Sequence, residues 1–401
     1  TSPRSLQAPS SGNKMSHNKM RFIKHIKLVL VLCIPFVYGV GVGFYQWFPF
    51  EQLRSTKQLL LDGSDSEISS VVDVVDVVDV VDVVDVADVA DLADVAMVRA
   101  KRSPTELINL RQELRSVIIP NQVQDVETSD SDSNGQTLSI NYYGITTNAK
   151  LARASTSNQC LRIYIQGHGG NPFEYSYHNE LRDVFLSQGC DVLSMSMLGL
   201  GLNIGNASIP TRFGVLDMDA SQAKTHGSYS FFYDEDNPSL DPFSLFLYPH
   251  MRLIGSVIEN SSYSDISVIG FSGGGWYTVW LAALMPEIGT SISYAGSLPS
   301  PYRKFTHNHG DWEENYSPLY QKTTYLELYE LMSFDELGSA SRSAYLVYND
   351  NDPCCFANPF ASHFKTWIER QTDFPLNIII DESSLHSMNP EIVLSITQVN
   401  E

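Results

Sequence analysis

The stretch Ile266–Trp276, ISVIGFSGGGW, decides the fold of this chain. It begins with a short β-branched run, passes through a serine enclosed by glycines, and continues into an apolar segment of helical length, Trp276–Met285. Gly270 to Gly274 fits the G-x-S-x-G pattern, in which a strand turns sharply into a helix and lifts one serine out of the sheet. The flanking glycines have a steric reason, because a Cβ would clash in so tight a turn. The stretch therefore predicts a strand, an elbow carrying Ser272, and a helix.

From about residue 136 onward, strand-like and helix-like segments alternate. The predicted strands are Thr137–Tyr143, Leu161–Gln166, Asp191–Met197, Ile266–Ile269, Thr290–Tyr294, Ala344–Tyr348 and Leu376–Ile380. The predicted helices are Tyr175–Ser187, Phe243–Ile258, Gly274–Met285, Leu319–Leu331, Pro359–Gln371 and a last helix from Pro390. This alternation predicts an α/β fold, a mostly parallel central sheet with helices on both faces. Ligands of such a sheet bind at the carboxyl ends of its strands.

Three features placed after predicted strands carry a resemblance to a known family. They are the loop Gln166–Gly170, QGHGG, the elbow Gly270–Gly274, and the order Ser272, Asp352, His386. With these, residues 135–400 resemble the α/β-hydrolase superfamily, especially its esterase, lipase and prolyl-oligopeptidase-like branches. The resemblance implies the nucleophile, acid and histidine in that chain order.

The resemblance implies a role for each of the three side chains. Ser272 is the expected nucleophile, and it needs an adjacent base because a serine hydroxyl is hardly ionised at neutral pH. His386, just beyond the last strand, is the expected base, and Asp352 the acid that orients it. Asp350 is the alternative acid in the same loop, while Asp381 and Glu382 lie so close to His386 in sequence that they are expected to cap the strand end.

The oxyanion of a tetrahedral intermediate needs preorganised N–H donors. The resemblance places one donor at Gly273, directly after the nucleophile. The second is expected from the loop after Gln166, at Gly169 or Gly170, where glycine lets the backbone approach a substrate. An ordinary glycine turn is the alternative interpretation of this loop.

No cofactor and no metal are expected. His307-Asn308-His309 with Asp311 has a spacing seen in metal sites, but such a pair in a polar loop is usually solvated. It lies within 296–318, one of two long connections expected to shape the pocket as lids or binding loops; the other is 198–241. The aromatic residues of both connections suit either contact with a substrate or packing of the lid.

The N-terminal quarter has a different composition. Residues 1–27 are basic, and Leu28–Phe50 carries no formal charge, which suits a signal peptide or a membrane-anchoring helix. Residues 51–102 form a spacer with a Val-Val-Asp repeat, whose period of three keeps no face apolar on a helix or a strand. The catalytic domain is expected over 103–401. Export follows, with this domain secreted or anchored on the non-cytoplasmic side.

The five cysteines also bear on whether the protein is exported to an oxidising compartment. Cys160 and Cys190 each precede an apolar strand-like run, so a disulfide could join them if the two strands are parallel neighbours. Free thiols are the alternative. For the adjacent Cys354 and Cys355, free thiols are expected rather than a vicinal disulfide.

The net charge of -20 argues against a nucleic-acid partner. A small-molecule or acylated substrate is expected, and nothing in the sequence defines an oligomeric state. The leading hypothesis is an exported serine hydrolase that cleaves a carboxylic ester through an acyl-enzyme. The alternatives are a prolyl-oligopeptidase-like peptidase and an inactive, membrane-tethered binding protein on a hydrolase scaffold.

Overall fold

The computed structural model describes residues 102–221, 223–303, 310–336, 342–356, 358–371 and 374–398. The predicted N-terminal segment Leu28–Phe50 and the acidic spacer lie outside these residues. Among the described residues, no helix has the length and apolar character needed to span a lipid bilayer.

A central sheet organises this part of the chain. Its strands are β1 Glu127–Asp132, β2 Gly135–Tyr142, β3 Ile145–Ala152, β4 Cys160–Gln166, β5 Cys190–Ser196, β8 Asp265–Phe271, β9 Thr290–Tyr294, β10 Ser343–Asn349 and β11 Leu376–Asp381. A separate hairpin contains β6 Asn206–Thr211 and β7 Gly214–Asp219. In space the order of the sheet is β1-β2-β3-β5-β4-β8-β9-β10-β11.

The sheet is parallel from β5 to β11 and antiparallel at its other end, where β1, β2 and β3 pair with one another and β3 pairs with β5. Strands β4 and β5 are buried along their whole length, as expected for strands covered on both faces. The predicted fold class, an α/β fold with a mostly parallel central sheet, is confirmed.

Helices lie on both faces of the sheet. They are α1 Pro104–Ile118, α2 Ser176–Ser187, α3 Phe243–Glu259, α4 Gly273–Leu284, α5 Ser300–Arg303, α6 Trp312–Asn315, α7 Ser317–Tyr320, α8 Tyr325–Ser333, α9 Phe360–Glu369 and α10 Pro390–Ile396. Segments of 3₁₀ helix also occur, at Pro172–Glu174, Gly201–Asn203 and Ala223–Phe231.

Strand β4 shows how one strand feeds two cores. Ile163 and Ile165 point into the larger core, shared with α1, α3, α4 and α8, whereas Tyr164 points into the smaller one, shared with α2 and α10. This alternation follows from the two-residue period of a strand. Strand β4 is thereby held from both sides of the sheet.

The segment predicted as one helix, Leu319–Leu331, forms two. The break falls at Thr324, whose hydroxyl accepts from the amide of Glu327 at 3.3 Å, while the Glu327 carboxylate accepts from the amide of Thr324 at 2.8 Å. This reciprocal pair is a capping box, which starts a new helix. The helix therefore begins at Tyr325 rather than continuing from α7.

Candidate active site

Ser272 stands at the turn between β8 and α4. Its φ is 55° and its ψ is −130°, a region that residues with a side chain rarely adopt. The turn is held by two backbone hydrogen bonds: the Ser272 amide donates to the Tyr294 carbonyl at 2.9 Å, and the Ser272 carbonyl accepts from Gly275 at 2.7 Å. A strained residue that its surroundings hold in place is typical of a functional site.

The glycines on either side of Ser272 are required by close backbone contacts. A Cβ on Gly270 would lie 1.9 Å from the carbonyl oxygen of Gly274, and one on Gly274 would lie 2.0 Å from that of Ile165. Neither distance is possible between real atoms. Glycine is therefore required at both ends of the G-x-S-x-G pattern, because only then can β8, α4 and β4 meet at the elbow.

Asp352 and His386 are brought together from loops that follow adjacent parallel strands, β10 and β11. Nδ1 of His386 donates to Oδ2 of Asp352 at 2.8 Å. The side chain of Asp352 is fully buried, and that of His386 is 22% exposed. The donor must be the imidazole, because an ionised carboxylate only accepts. This arrangement leaves Nε2 of His386 free to act as a base.

Several donors hold the Asp352 carboxylate in its charged form. Oδ1 accepts from the amides of Cys354 and Cys355 at 2.8 and 3.0 Å, and Oδ2 also accepts from the Asn349 side chain at 3.0 Å. Burial acts to raise the pKa of Asp352, but the hydrogen bonds from His386, Asn349 and Cys354 outweigh it and hold the pKa below its usual value. The group can therefore stabilise an imidazolium without taking its proton.

The alternative acids have other partners. The Asp350 carboxylate accepts from the side chains of Asn351 and Asn358 within its own loop. The Asp381 carboxylate accepts from the hydroxyl of Tyr294. The geometry thus favours Asp352 as the partner of His386.

Cys354 and Cys355 are joined by a disulfide, which differs from the expectation of free thiols. Both of their amides point to one oxygen of Asp352, so the chain turns here instead of extending. A turn brings adjacent side chains to the same side, where the two sulfurs can bond. Cys160 and Cys190 form the second disulfide, one of the two alternatives that the sequence left open, because they are register partners at the start of β4 and β5.

The imidazole of His386 lies against the ring of Phe271, the residue before the serine, with 4.7 Å between ring centroids. Among the described residues, the Ser272 hydroxyl makes no hydrogen bond to His386. Hydrogen bonds of this type are often long in proteins without substrate and tighten in the complex. The structure therefore brings serine and histidine to the same edge without joining them.

The loop after β4 meets the elbow at Gly167. A Cβ on Gly167 would lie 2.6 Å from the amide nitrogen of Gly273 and 2.7 Å from Cβ of Ser272. This contact holds the start of the loop directly against the first residue of α4. The amide of Gly170 instead donates to the carbonyl of Gly167 at 3.1 Å, and Gly169 packs against the hydroxyl of Tyr175. The N–H of Gly170 is therefore used within the turn.

The sequence interpretation missed two residues near the elbow, His226 and Glu313. His226 lies in the 3₁₀ segment Ala223–Phe231, and Glu313 in the short helix α6. Both are buried. The Glu313 carboxylate contacts the imidazole of His226 and also lies close to that of His168. No pattern in the sequence marks them, since each belongs to an irregular connection. His307 and His309, considered for a metal with Asp311, lie outside the described residues.

No family model matches the chain, and no curated protein sequence matches it. Among solved structures, it is similar to acetyl xylan esterase 1 from Thermoanaerobacterium sp. JW/SL YS485, with 14% identity and a TM-score of 0.48 over 78% of this chain and 98% of the other. It is similar to a glucuronoyl esterase from Caldicellulosiruptor kristjansonii, with 13% identity and a TM-score of 0.44 over 73% and 83%. It is also similar to Est1E from Butyrivibrio proteoclasticus, with 14% identity and a TM-score of 0.42 over 65% and 94%.

Proposed function

We propose that this chain is a serine hydrolase that cleaves a carboxylic ester. The observation that carries the proposal is the position of Ser272, held at a positive φ on the elbow at the edge where the Asp352–His386 pair lies. In the proposed reaction, the Ser272 hydroxyl attacks the ester carbonyl and gives its proton to Nε2 of His386. Asp352 stabilises the resulting imidazolium.

The tetrahedral intermediate formed in this step carries a negative oxygen. We assign its two donors to the amides of Gly273 and His168, since the approach of Gly167 to the elbow supports their being neighbours. Collapse of the intermediate expels the alcohol, which takes the proton from His386, and leaves an acyl-enzyme. Water, activated by the same histidine, then releases the acid.

Aromatic rings beside the serine support an uncharged substrate. Tyr177 packs edge-on against Phe271 with 5.3 Å between centroids, and it stacks on Tyr175 at 5.2 Å. Such a wall suits an acyl or aryl group, which gains from leaving water.

The experiment compares Ser272→Ala with Ser384→Ala, a serine in the exposed part of the His386 loop. We expect Ser272→Ala to lower kcat on p-nitrophenyl acetate by about 10⁶-fold, the scale seen when a triad nucleophile is removed. Ser384→Ala should retain activity. Undiminished turnover by folded Ser272→Ala would eliminate the assignment.

One observation favours a second candidate, an inactive binding protein on the same scaffold: Ser272 and His386 share no hydrogen bond among the described residues. A fluorophosphonate probe separates the two candidates, because it reacts only with an activated serine. Labelling of the wild type at Ser272 supports the hydrolase. Folded wild-type protein that stays unlabelled supports the binding protein.

We further propose that the protein is exported, secreted or anchored by Leu28–Phe50. The Cys160–Cys190 and Cys354–Cys355 disulfides support an oxidising compartment. Fractionation of cells expressing the full chain and a variant lacking residues 28–50 tests this. Export of the full chain that is lost in the deletion variant supports the proposal, and retention of both in the cytoplasm contradicts it.

A further inference from the structure

Three side chains from separate connections meet beside the elbow: His168 after β4, His226 in the 3₁₀ segment, and Glu313 in α6. Oε1 of Glu313 lies 3.2 Å from Nε2 of His168, and Oε2 lies 3.1 Å from Nδ1 of His226. Glu313 and His226 are each only 1% exposed. A Cβ on Gly273 would lie 2.8 Å from the His168 ring, so the cluster adjoins the elbow.

The Glu313 carboxylate is buried without an arginine or lysine contact among the described residues; its polar contacts are the two imidazoles. A buried carboxylate requires a positive partner, because its desolvation is otherwise costly. Either the imidazoles carry extra protons or a cation lies among the three groups.

The surroundings of His226 fit a bound cation. Its Nδ1 faces Glu313, and its Nε2 lies 3.3 Å from the carbonyl oxygen of Leu198. A neutral imidazole has one N–H. If Nε2–H donates to the carbonyl of Leu198, the lone pair of Nδ1 points at the Glu313 carboxylate, and a cation between the two would be bound by both. Metal-binding histidines show this arrangement: one nitrogen binds the ion, and the other donates to a backbone carbonyl that fixes the tautomer.

His168 also has a ring nitrogen that lacks a hydrogen-bond partner among the described residues. Its Nε2 is a buried atom without an aligned hydrogen bond, although Oε1 of Glu313 lies 3.2 Å away and Oδ2 of Asp311 lies 3.4 Å away. Zinc binds nitrogen and oxygen at about 2.0–2.2 Å in a tetrahedron, which separates neighbouring donor atoms by roughly 3.3–3.5 Å. The measured separations of 3.1 to 3.4 Å lie close to this range.

We propose that His168, His226 and Glu313 bind a divalent transition-metal ion of the zinc type, with the half-exposed Asp311 as the fourth ligand on the solvent side. Two imidazoles favour zinc and its neighbours over magnesium or calcium, which prefer oxygen alone. Two carboxylates balance the charge of such an ion when both imidazoles are neutral. Binding would tie the loop after β4 to α6 and to the 3₁₀ segment.

This proposal does not depend on hydrolase activity, so Ser272→Ala is a suitable host for its test. Protein treated with a chelator is dialysed without reductant, which keeps the Cys354 and Cys355 thiols from competing for metal. Zinc is then added, and bound zinc is measured by isothermal titration and by elemental analysis. We expect one tightly bound equivalent in wild type and in Ser272→Ala, together with a rise in unfolding temperature.

Glu313→Gln and His226→Gln should weaken zinc binding at least 100-fold and abolish the thermal shift. His363→Gln, a histidine on α9, is the matched control and should bind as wild type does. Asp311 is the N-cap of α6, a position that asparagine fills as well as aspartate, so Asp311→Asn should preserve the fold. It should weaken binding at least 10-fold, and it decides the question if the buried variants do not fold.

Two results would overturn the proposal. The first is folded wild-type protein that binds less than about a tenth of an equivalent at tens of micromolar zinc, a concentration far above the affinity of a closed four-ligand site. The second is zinc binding in Asp311→Asn equal to that of wild type. Either result would leave the cluster as a protonated histidine–carboxylate network.

Discussion

Asp352 accepts a hydrogen bond from Nδ1 of His386 at 2.8 Å, across 34 residues of sequence. The two residues follow β10 and β11, which are parallel neighbours whose ends lie in register at Asn349 and Asp381. The contact is therefore a product of the sheet rather than of local sequence. It also distinguishes Asp352 from Asp350, the other acidic candidate in the same loop, because Asp350 contacts neighbouring asparagines instead.

Asp352→Asn should lower kcat by about 10⁴-fold, because an amide in place of the carboxylate favours the wrong imidazole tautomer and cannot stabilise the imidazolium. Asp350→Asn is the matched control in the same loop and should leave kcat nearly unchanged. The measurement is steady-state hydrolysis of p-nitrophenyl acetate. Equal losses in the two variants would show that the loop as a whole, rather than the Asp352 carboxylate, supports the reaction.

The Cys160–Cys190 disulfide should contribute to stability and not to catalysis. It links residues 30 apart, so it restricts the unfolded chain, and chain-entropy estimates give about 3–4 kcal/mol for such a loop. Cys160→Ala/Cys190→Ala should lose about this free energy of unfolding in urea while retaining kcat. Cys354→Ala/Cys355→Ala is the control, because a bond between adjacent residues closes no loop of comparable length. A similar loss of stability in both double variants would contradict the entropic account.

His178 should make the fold sensitive to acid. It is fully buried, and its Nε2 lies 2.9 Å from the Ser194 hydroxyl. Burial lowers the pKa of His178 from 6.5 to about 4. As the pH falls below 6.5, the unfolded chain takes up a proton that the folded chain refuses, so stability decreases down to about pH 4. The loss attributable to this residue is at most about 3 kcal/mol.

His178→Gln retains a hydrogen-bonding side chain but does not titrate. The free energy of unfolding in urea, measured at pH 7 and at pH 5, should therefore fall less in this variant than in wild type. His363→Gln, which changes a partly exposed histidine, should keep the wild-type slope. An identical pH dependence in His178→Gln would show that other groups cause the acid sensitivity.

The sequence predicted the parallel strands well because they are buried on both faces, and continuous apolar runs mark such strands. Strand β3, Ile145–Ala152, was missed. Its buried positions include Thr147 and Ala149, which are too small or too polar to stand out from a loop. The antiparallel end of the sheet is therefore apparent only in the structure, where β3 pairs with β5.

The sequence could predict some residues of the candidate site but not others. Ser272, Asp352 and His386 could be proposed because each follows a predicted strand, and parallel strands end at one edge. Glu313 and His226 could not, since they reach that edge from irregular connections whose path depends on tertiary packing. The loop after β4 lies between these cases: its place at the edge of the sheet could be predicted, but the close approach of Gly167 to the elbow could not.

Gly167 should be the residue of that loop least tolerant of a side chain. A Cβ there would lie 2.6 Å from both the Gly273 amide nitrogen and the Phe271 carbonyl oxygen, so the loop after β4 would have to move away from the elbow. Loss of one oxyanion donor typically costs 10²–10³-fold in kcat. Gly167→Ala should therefore lower kcat by at least about 100-fold.

Gly169→Ala is the matched control two residues away. Its Cβ would lie 2.1 Å from the hydroxyl oxygen and 2.9 Å from Cζ of Tyr175, a side chain rather than backbone, and Tyr175→Phe removes the nearer of these two atoms. We expect Gly169→Ala/Tyr175→Phe to keep most of the wild-type kcat. Both variants are measured on p-nitrophenyl acetate, with circular dichroism to establish that they fold. If the substitution at Gly169 lowers kcat as much as that at Gly167, the loss is not specific to Gly167, and the assignment of the second donor to the His168 amide loses its support.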